Sequence, residues 1–342
     1  MRKPVAIAVS VVAAGCLVPL LVDRTPPESA APVVAEVPGP SDPIRVRPVE
    51  VRSWEGTVRP VEAAVVHPLA HRFVEGDRRL YRVRHDQETR LDLDLSKLGA
   101  GEGTRTSEHR QEIDGRLEFL VYSTRPGEHL LGVRVETLAL RLGADAPVAL
   151  EEACAEELEF LIRIDDAGRI LAYLFPPAIE AGASALFKGL LGSFQVALPA
   201  GAKEEWEATE RDSTGTYLAR YRRSDHVDGA GARLARVEKS FRGYESVASG
   251  RRDVLAGALY DAVAWFDLEA GWVRSMDFEN RVLVTDPEMT ATSGARSSGL
   301  VLLLEAGRDG RSDAARGRRL DALLASGRWS GADAGAELAQ LA

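Results

Sequence analysis

The sequence predicts a mainly β protein, a barrel or sandwich of antiparallel strands, with an antiparallel β-barrel holding a central amphipathic helix as the simplest arrangement and short helices at the C-terminus. Three observations carry that prediction. Apolar and polar residues alternate with period two in segment after segment between residues 91 and 305. Glycine and aspartate punctuate those segments at turn positions. One stretch alone, Pro177 to Ala197, changes to three- and four-residue spacing.

The elements follow in chain order. Arg2 and Lys3 precede an uncharged run from Val5 to Val22, a basic start followed by an apolar stretch long enough to cross most of a bilayer as a helix. Three readings stand open: an uncleaved anchor, a cleaved signal, or a lipoprotein signal in which Ala13-Ala14-Gly15-Cys16 acts as a lipobox and Cys16 is acylated. Each exports the rest of the chain, so residues 1–22 are assigned as signal or membrane anchor. The expected location is the periplasmic side of a cell envelope, held to the membrane. Asp23 to Pro43, with prolines at 26, 27, 32, 38, 40 and 43, reads as a semi-extended tether. Arginine far outnumbers lysine, which suggests a GC-rich bacterial genome.

The barrel domain is expected over residues 44–305. Leu91-Asp92-Leu93-Asp94-Leu95 alternates strictly, and Leu117 to Tyr122 and Leu130 to Leu142 continue the pattern across a turn at Gly127. Phe160 to Leu174 holds two apolar runs split by Asp165-Asp166-Ala167-Gly168, a hairpin with glycine at the tight position. Further strands are expected at Thr214 to Arg222, Arg233 to Ser240, Gly271 to Thr285 and Gly299 to Glu305. Val254 to Phe266 fits helix and strand equally. In the helix, Ile179, Ala183, Leu186, Phe187, Leu190, Leu191 and Phe194 form a broad apolar stripe between Pro176-Pro177 and Pro199. A helix in a β chain must bury that stripe, and the barrel lumen is the simplest place. Residues 306–342 read as a tail of two short helices split near Gly327-Arg328-Trp329.

Composition narrows the function. A net charge of -9 argues against nucleic-acid binding. Cys16 and Cys154 cannot make a disulfide framework, and no cluster has zinc-site spacing. His67 and His71 are four apart but lack a third ligand, and Gly99-Ala100-Gly101-Glu102-Gly103 lacks the lysine of a phosphate cradle. The acidic run Glu151 to Glu159 reads as a solvated turn, in which Cys154 would be disfavoured as a thiolate. No nucleophile constellation or nucleotide motif appears, so neither an enzyme nor a cofactor is expected.

Glu157 to Pro199 resembles the amino-terminal module of the large lipid-transfer proteins, the vitellogenin, apolipoprotein B and microsomal triglyceride transfer family. The matching residues are Phe160-Leu161-Ile162, Gly168-Arg169-Ile170, and Lys188-Gly189-Leu190-Leu191-Gly192-Ser193-Phe194-Gln195. Downstream, Glu205 to Tyr217, Ala219-Arg220-Tyr221 and Val237-Glu238-Lys239 look like that family's second signature, with Tyr217 where the family has cysteine. The resemblance implies a barrel wrapped around a central helix and a contact module for partners. It also departs from the family. The cysteine is gone, about 35 residues follow the barrel where the family has a helical arch, and the lipid-enclosing sheets are missing.

The function expected on these grounds is an exported, membrane-tethered barrel that binds a lipid-like ligand or docks a protein partner in lipid transport. Ile179, Leu186, Phe187, Leu190 and Phe194 of the helix are the candidate ligand or partner contacts. The alternative is a non-catalytic envelope scaffold or adhesion protein without bound lipid.

Overall fold

The computed structural model describes residues 7–13, 16–22, 58–61, 68–94, 103–142, 148–149, 158–177, 179, 181–212, 215–247, 255–286 and 291–330. The tether lies outside these residues, as do Cys154, His67 and all of the acidic run but Leu158 and Glu159.

In chain order the strands are β1 (Ile7–Ala13), β2 (Cys16–Val22), β3 (Val58–Pro60), β4 (Asp77–Asp94), β5 (Thr104–Arg125), β6 (Glu128–Leu142), β7 (Val148–Ala149), β8 (Glu159–Ile164) and β9 (Ile170–Phe175). Helix α1 (Ala181–Ser193) follows, then β10 (Glu205–Arg211), β11 (Gly215–Asp228), β12 (Arg233–Phe241), β13 (Ser246–Val247), β14 (Leu255–Asp267), β15 (Trp272–Asp286) and β16 (Ala291–Arg308). Helix α2 (Asp313–Ser326) and β17 (Arg328–Ser330) end the described chain. The protein is mainly β. Strands β1 and β2 pair only with each other; the other fifteen make one sheet, antiparallel throughout.

The sheet runs β10-β11-β12-β14-β15-β16-β4-β5-β6-β8-β9-β17. This corrects the expected barrel: the ladder is open, with no pairing between β10 and the β9-β17 end. It curls nonetheless, because α1 touches strands far apart in that order. Phe187 packs on Phe160 of β8, and Phe194 packs on Phe278 of β15. One sheet face therefore lines an interior, and Ile113, Val133, Phe160, Tyr217, Val237, Phe266 and Met276 from seven strands share its core with α1.

The reason the ends do not pair is the segment that leaves α1. Leu198 donates its N–H to the Ala167 carbonyl in the β8–β9 turn at 2.8 Å, and the Gln195 side chain accepts from the Ile170 N–H at 2.9 Å. On the other side, the Trp206 indole of β10 donates to the Ala197 carbonyl at 2.8 Å, and the Ala197 N–H donates to the Tyr221 hydroxyl of β11 at 3.1 Å. The chain bridges the seam with its own backbone and polar side chains, so strand pairing across it is replaced. A second segment plugs that end: Leu69 is buried, His71 is half-buried, and Phe73 stacks on His71 at 5.3 Å. Gly168, at φ +86°, leaves His71 its space, since a Cβ there would lie 2.3 Å from the imidazole.

Other expectations resolve as follows. The stretch Val254 to Phe266 enters the sheet as β14, its inner positions Ala258, Tyr260, Ala262, Ala264 and Phe266 keeping period two. The helix begins at Ala181, four residues after Pro177. The apolar N-terminal run, read above as a membrane-length helix, pairs as the β1–β2 hairpin. Its branched residues Ile7, Val9, Val11, Val12, Val18 and Val22 suit extended backbone, and Pro19 disfavours an uninterrupted helix. No helix among the described residues is long and apolar enough to cross a membrane.

The tail contains one described helix where two are expected. Helix α2 starts at a Ser312 cap and lays Leu320, Leu323 and Leu324 on Leu120, Tyr122, Leu161 and Leu174, on the outer side of β5, β8 and β9. Arg319 of α2 donates to Glu159 at 2.9 Å, and the Tyr122 hydroxyl donates to the same carboxylate at 2.5 Å. Glu159, the end of the acidic run, is thus buried and paired where a solvated position is expected. Arg328–Ser330, at the expected break between the two helices, then extends the sheet against Tyr173, Leu174 and Phe175, and the second expected helix lies outside the described residues. An edge strand left bare presents unpaired backbone groups, and β17 covers part of this one.

Candidate functional site

Alternation along the strands sends one set of side chains inward, so the candidate site is the inner face of the curled sheet together with α1. The five helix residues named from the sequence lie there. Leu186, Phe187 and Leu190 are buried in the main core, and Ile179 and Phe194 sit half-buried at its margin. They are packed against strands, which makes them part of the structural interior whatever else they contact. Cys16 is the first residue of β2, opposite Ala13.

A cavity of about 130 Å³ remains beside the helix end, lined in part by Leu191, Phe194, Phe73, Tyr81, Trp272 and Met276. That is below the ~300–1,000 Å³ of pockets that enclose drug-sized ligands. A larger concavity of about 850 Å³ lies on the outer face of β11–β16 and β4, edged by charged residues that include Arg84, Arg222, Glu238, Asp277 and Arg296. Asp277 is half-buried there, and burial alone lifts its carboxyl to about 6.

The best-defined chemistry is structural. Lys239 of β12 reaches Glu210 of β10 at 2.6 Å, both side chains being at most 2% exposed. Its ammonium also donates to the Gln195 carbonyl at 2.8 Å and lies 5.3 to 5.8 Å over the rings of Tyr217, Tyr221 and Tyr260. The Tyr217 hydroxyl donates to Glu210 at 3.0 Å and the Tyr221 hydroxyl donates to its other oxygen. The Tyr260 hydroxyl caps the helix by donating to the Ser193 carbonyl at 2.5 Å. Asp212 turns the β10–β11 hairpin, accepting from the Gly215 N–H at 3.0 Å and from the Tyr244 hydroxyl at 2.8 Å.

These are residues of the second quoted signature: Glu210, Asp212, Gly215, Tyr217, Tyr221 and Lys239 converge on the exit of α1. Tyr217, in the position of the missing cysteine, stacks on Phe241 at 4.0 Å. The signature marks a lock on the helix. Sequence reasoning quoted those residues without seeing that they touch. It also missed Phe73 and Trp272, which carry no local pattern because their partners lie on other strands.

Two histidines are held neutral. Burial lowers His71 to about 4 between Phe73 and Phe266, and lowers His85 to about 4 on the inner face of β4. No group of three or more potential metal ligands occurs among the described residues.

No protein-family model matches the chain, and no curated protein matches it. A solved structure described as "Lipid-protein interactions in lipovitellin" is similar, with a TM-score of 0.46 and 15% identity over 70% of this chain. The chain spans about a quarter of that one, 26% of its length.

Proposed function

We propose that this is an exported, membrane-tethered, non-catalytic protein whose curled sheet binds a lipid-like ligand or docks a partner in lipid transport. One observation carries the reading: the interior is longer than the helix that fills it. Thirteen residues make α1 about 20 Å long at 1.5 Å per residue. Strands β4, β5 and β16, of 18, 22 and 18 residues, reach roughly 60–70 Å at about 3.3 Å each. The inner face therefore continues well past α1, where the β1–β2 hairpin lies against α1, β15 and β16, and a lipid-like ligand would take that hairpin's place. The basic start, uncharged run and proline-rich tether support export and tethering.

The test is extraction of protein purified from its native membrane without added lipid, followed by mass spectrometry. Stoichiometric acyl lipid is the expected result. Lipid-free protein would instead favour a second reading, the envelope scaffold, to which the close packing of Leu186, Phe187 and Leu190 lends weight. Intact mass of the same sample separates acylated Cys16, a retained Met1 and a trimmed start.

A further inference from the structure

Beyond the reach of α1 the inner face is not uniformly apolar. Strand alternation puts His85 of β4, Asn280 of β15, and Ser293 and Ser297 of β16 on the same side as the core residues Val83, Phe278 and Val301. Asn280 stands opposite Ser297, Ser293 opposite Leu91, and His85 opposite Gly299. His85, Asn280, Ser293 and Ser297 are only 3%, 4%, 7% and 1% exposed, respectively. Yet both ring nitrogens of His85, Oδ1 of Asn280 and the hydroxyl oxygens of both serines have no hydrogen-bond partner. Buried polar groups are nearly always paired, so four orphans on three adjacent strands point to a ligand that completes them.

The chemistry of that ligand is restricted by charge. Every group of the patch is neutral, the imidazole included. Among the described residues the buried cations nearest this core are already engaged: Lys239 with Glu210, and Arg79 of β4 with Asp77 and the Gly307 carbonyl. The half-buried ammonium of α1, Lys188, lies over Tyr173 and Phe175 of β9, four strands from β4 in the sheet. An anionic head would be buried here without a counter-charge, which is costly; hydroxyls and ester oxygens would be satisfied. Apolar Leu91 and Val282 flank the patch and suit a hydrocarbon tail.

We propose that this far half of the inner face binds a single-chain amphiphile with an uncharged, hydroxyl- or ester-bearing head, a site that rests on the lipid-binding reading above and narrows it. The chain also supplies a competitor. The β1–β2 hairpin lies against α1, β15 and β16, and no charged residue occurs between Val5 and Val22. An uncharged apolar segment is what this surface accepts. Withdrawal of the same run into a membrane would vacate the site, so tethering and ligand access are coupled.

The experiment is calorimetric titration of the full-length chain with monopalmitoylglycerol and with palmitate at pH 8. The neutral lipid is expected to bind at least ~10-fold more tightly, and Asn280→Leu with Ser297→Ala to reduce that preference below ~3-fold. Removing orphaned polar atoms should leave the variant folded, and Ser297→Ala alone is the second arm if it does not. Val11→Asp, which disfavours the hairpin in an apolar interior, is expected to raise affinity for the neutral lipid by ~10-fold. Palmitate binding as tightly, or a preference untouched by the substitutions, overturns the head-group assignment while leaving lipid binding intact. An unchanged affinity in Val11→Asp overturns the competition. If neither lipid binds the full chain or the Val11→Asp chain, the site and the lipid-binding reading both fall.

Discussion

Lys239→Met is the substitution whose consequence can be worked furthest. The wild-type ammonium makes two hydrogen bonds, 2.6 Å to Glu210 and 2.8 Å to the Gln195 carbonyl, with neither charged side chain more than 2% exposed. Methionine fills much the same volume but leaves the Glu210 carboxylate with two tyrosine hydroxyls and no counter-charge. Breaking a buried pair from one side costs about 3–5 kcal/mol, most of it the penalty on the stranded charge. For a domain of this size, about 2–4 °C per kcal/mol translates that into a fall in Tm of roughly 6–20 °C. Replacing both partners, with Glu210→Leu added, removes the stranded charge and should restore most of the loss, giving a coupling energy of about 2 kcal/mol or more. Urea unfolding followed by tryptophan fluorescence is the assay, because Trp206 stacks on Tyr221 at 5.0 Å and reports on this corner. A cost below about 1 kcal/mol for Lys239→Met, or a double variant as unstable as the two singles added together, would refute the lock. Hydrogen exchange gives the local check: the amides of Ala197 and Leu198, tied to Tyr221 and Ala167, should lose protection in the single variant before the strands do.

Four further outcomes are expected. Leu190→Ala should cost about 2–5 kcal/mol in urea unfolding, and Leu190→Asp should unfold the domain, since Leu190 is 2% exposed in the main core; a folded Asp variant of unchanged stability would contradict the core assignment. Arg319→Ala should leave Glu159 buried beside Tyr122 alone and release α2 to proteolysis, with protection equal to wild type as the contrary result. Acid should weaken the fold through the histidines. His71 and His85 take up protons at about 4 when folded and at 6.5 when unfolded, so their contribution is complete above 6.5 and is lost as pH falls to about 4. At about 1.36 kcal/mol per unit the loss is at most about 3 kcal/mol for each, and His85→Gln should remove its share between urea midpoints at pH 7.5 and 4.5. Asp277 runs the other way: its carboxyl is raised to about 6, so its favourable contribution is present below 3.8 and lost as pH rises through 6, and Asp277→Asn should stabilise at pH 8 but not at pH 4.

Much of this architecture is legible in the sequence because it depends on local periodicity. The alternation at Leu91 to Leu95 falls within and just beyond β4, and the glycine turn at Asp165 to Gly168 joins β8 to β9 as the spacing predicts. The helix stripe is correctly placed because three-residue steps between two proline punctuations admit little else. What does not show is closure. Whether the first and last strands of a sheet pair depends on the length and course of the connection between them. Here Gln195 to Leu198 occupies the place a ladder would need. The strand in the tail is hidden for a similar reason: the exposed edge at β9 offers backbone partners to Arg328–Ser330, which local composition reads only as a break after the helix.

The candidate site is legible only in part, and the polar residues explain why. Lys239 and Glu210 stand at inner positions of alternating strands, where a sequence reading places charges on the wet face; they are inside because each has the other, 29 residues away. The same arrangement accounts for tyrosine at position 217. A cysteine there would need a second cysteine within bridging distance, and this chain has only Cys16 and Cys154. Tyrosine supplies both things the corner lacks without one: an aromatic ring that stacks on Phe241 and a hydroxyl that helps satisfy a buried carboxylate. The seam of an unpaired sheet must be held by side chains, and side-chain bonds to Gln195, Ala197 and Ile170 hold it only at the end where α1 leaves. At the far end β4, β15 and β16 run on with orphaned polar groups and no such lock, and the β1–β2 hairpin lying there is what an occupant would displace.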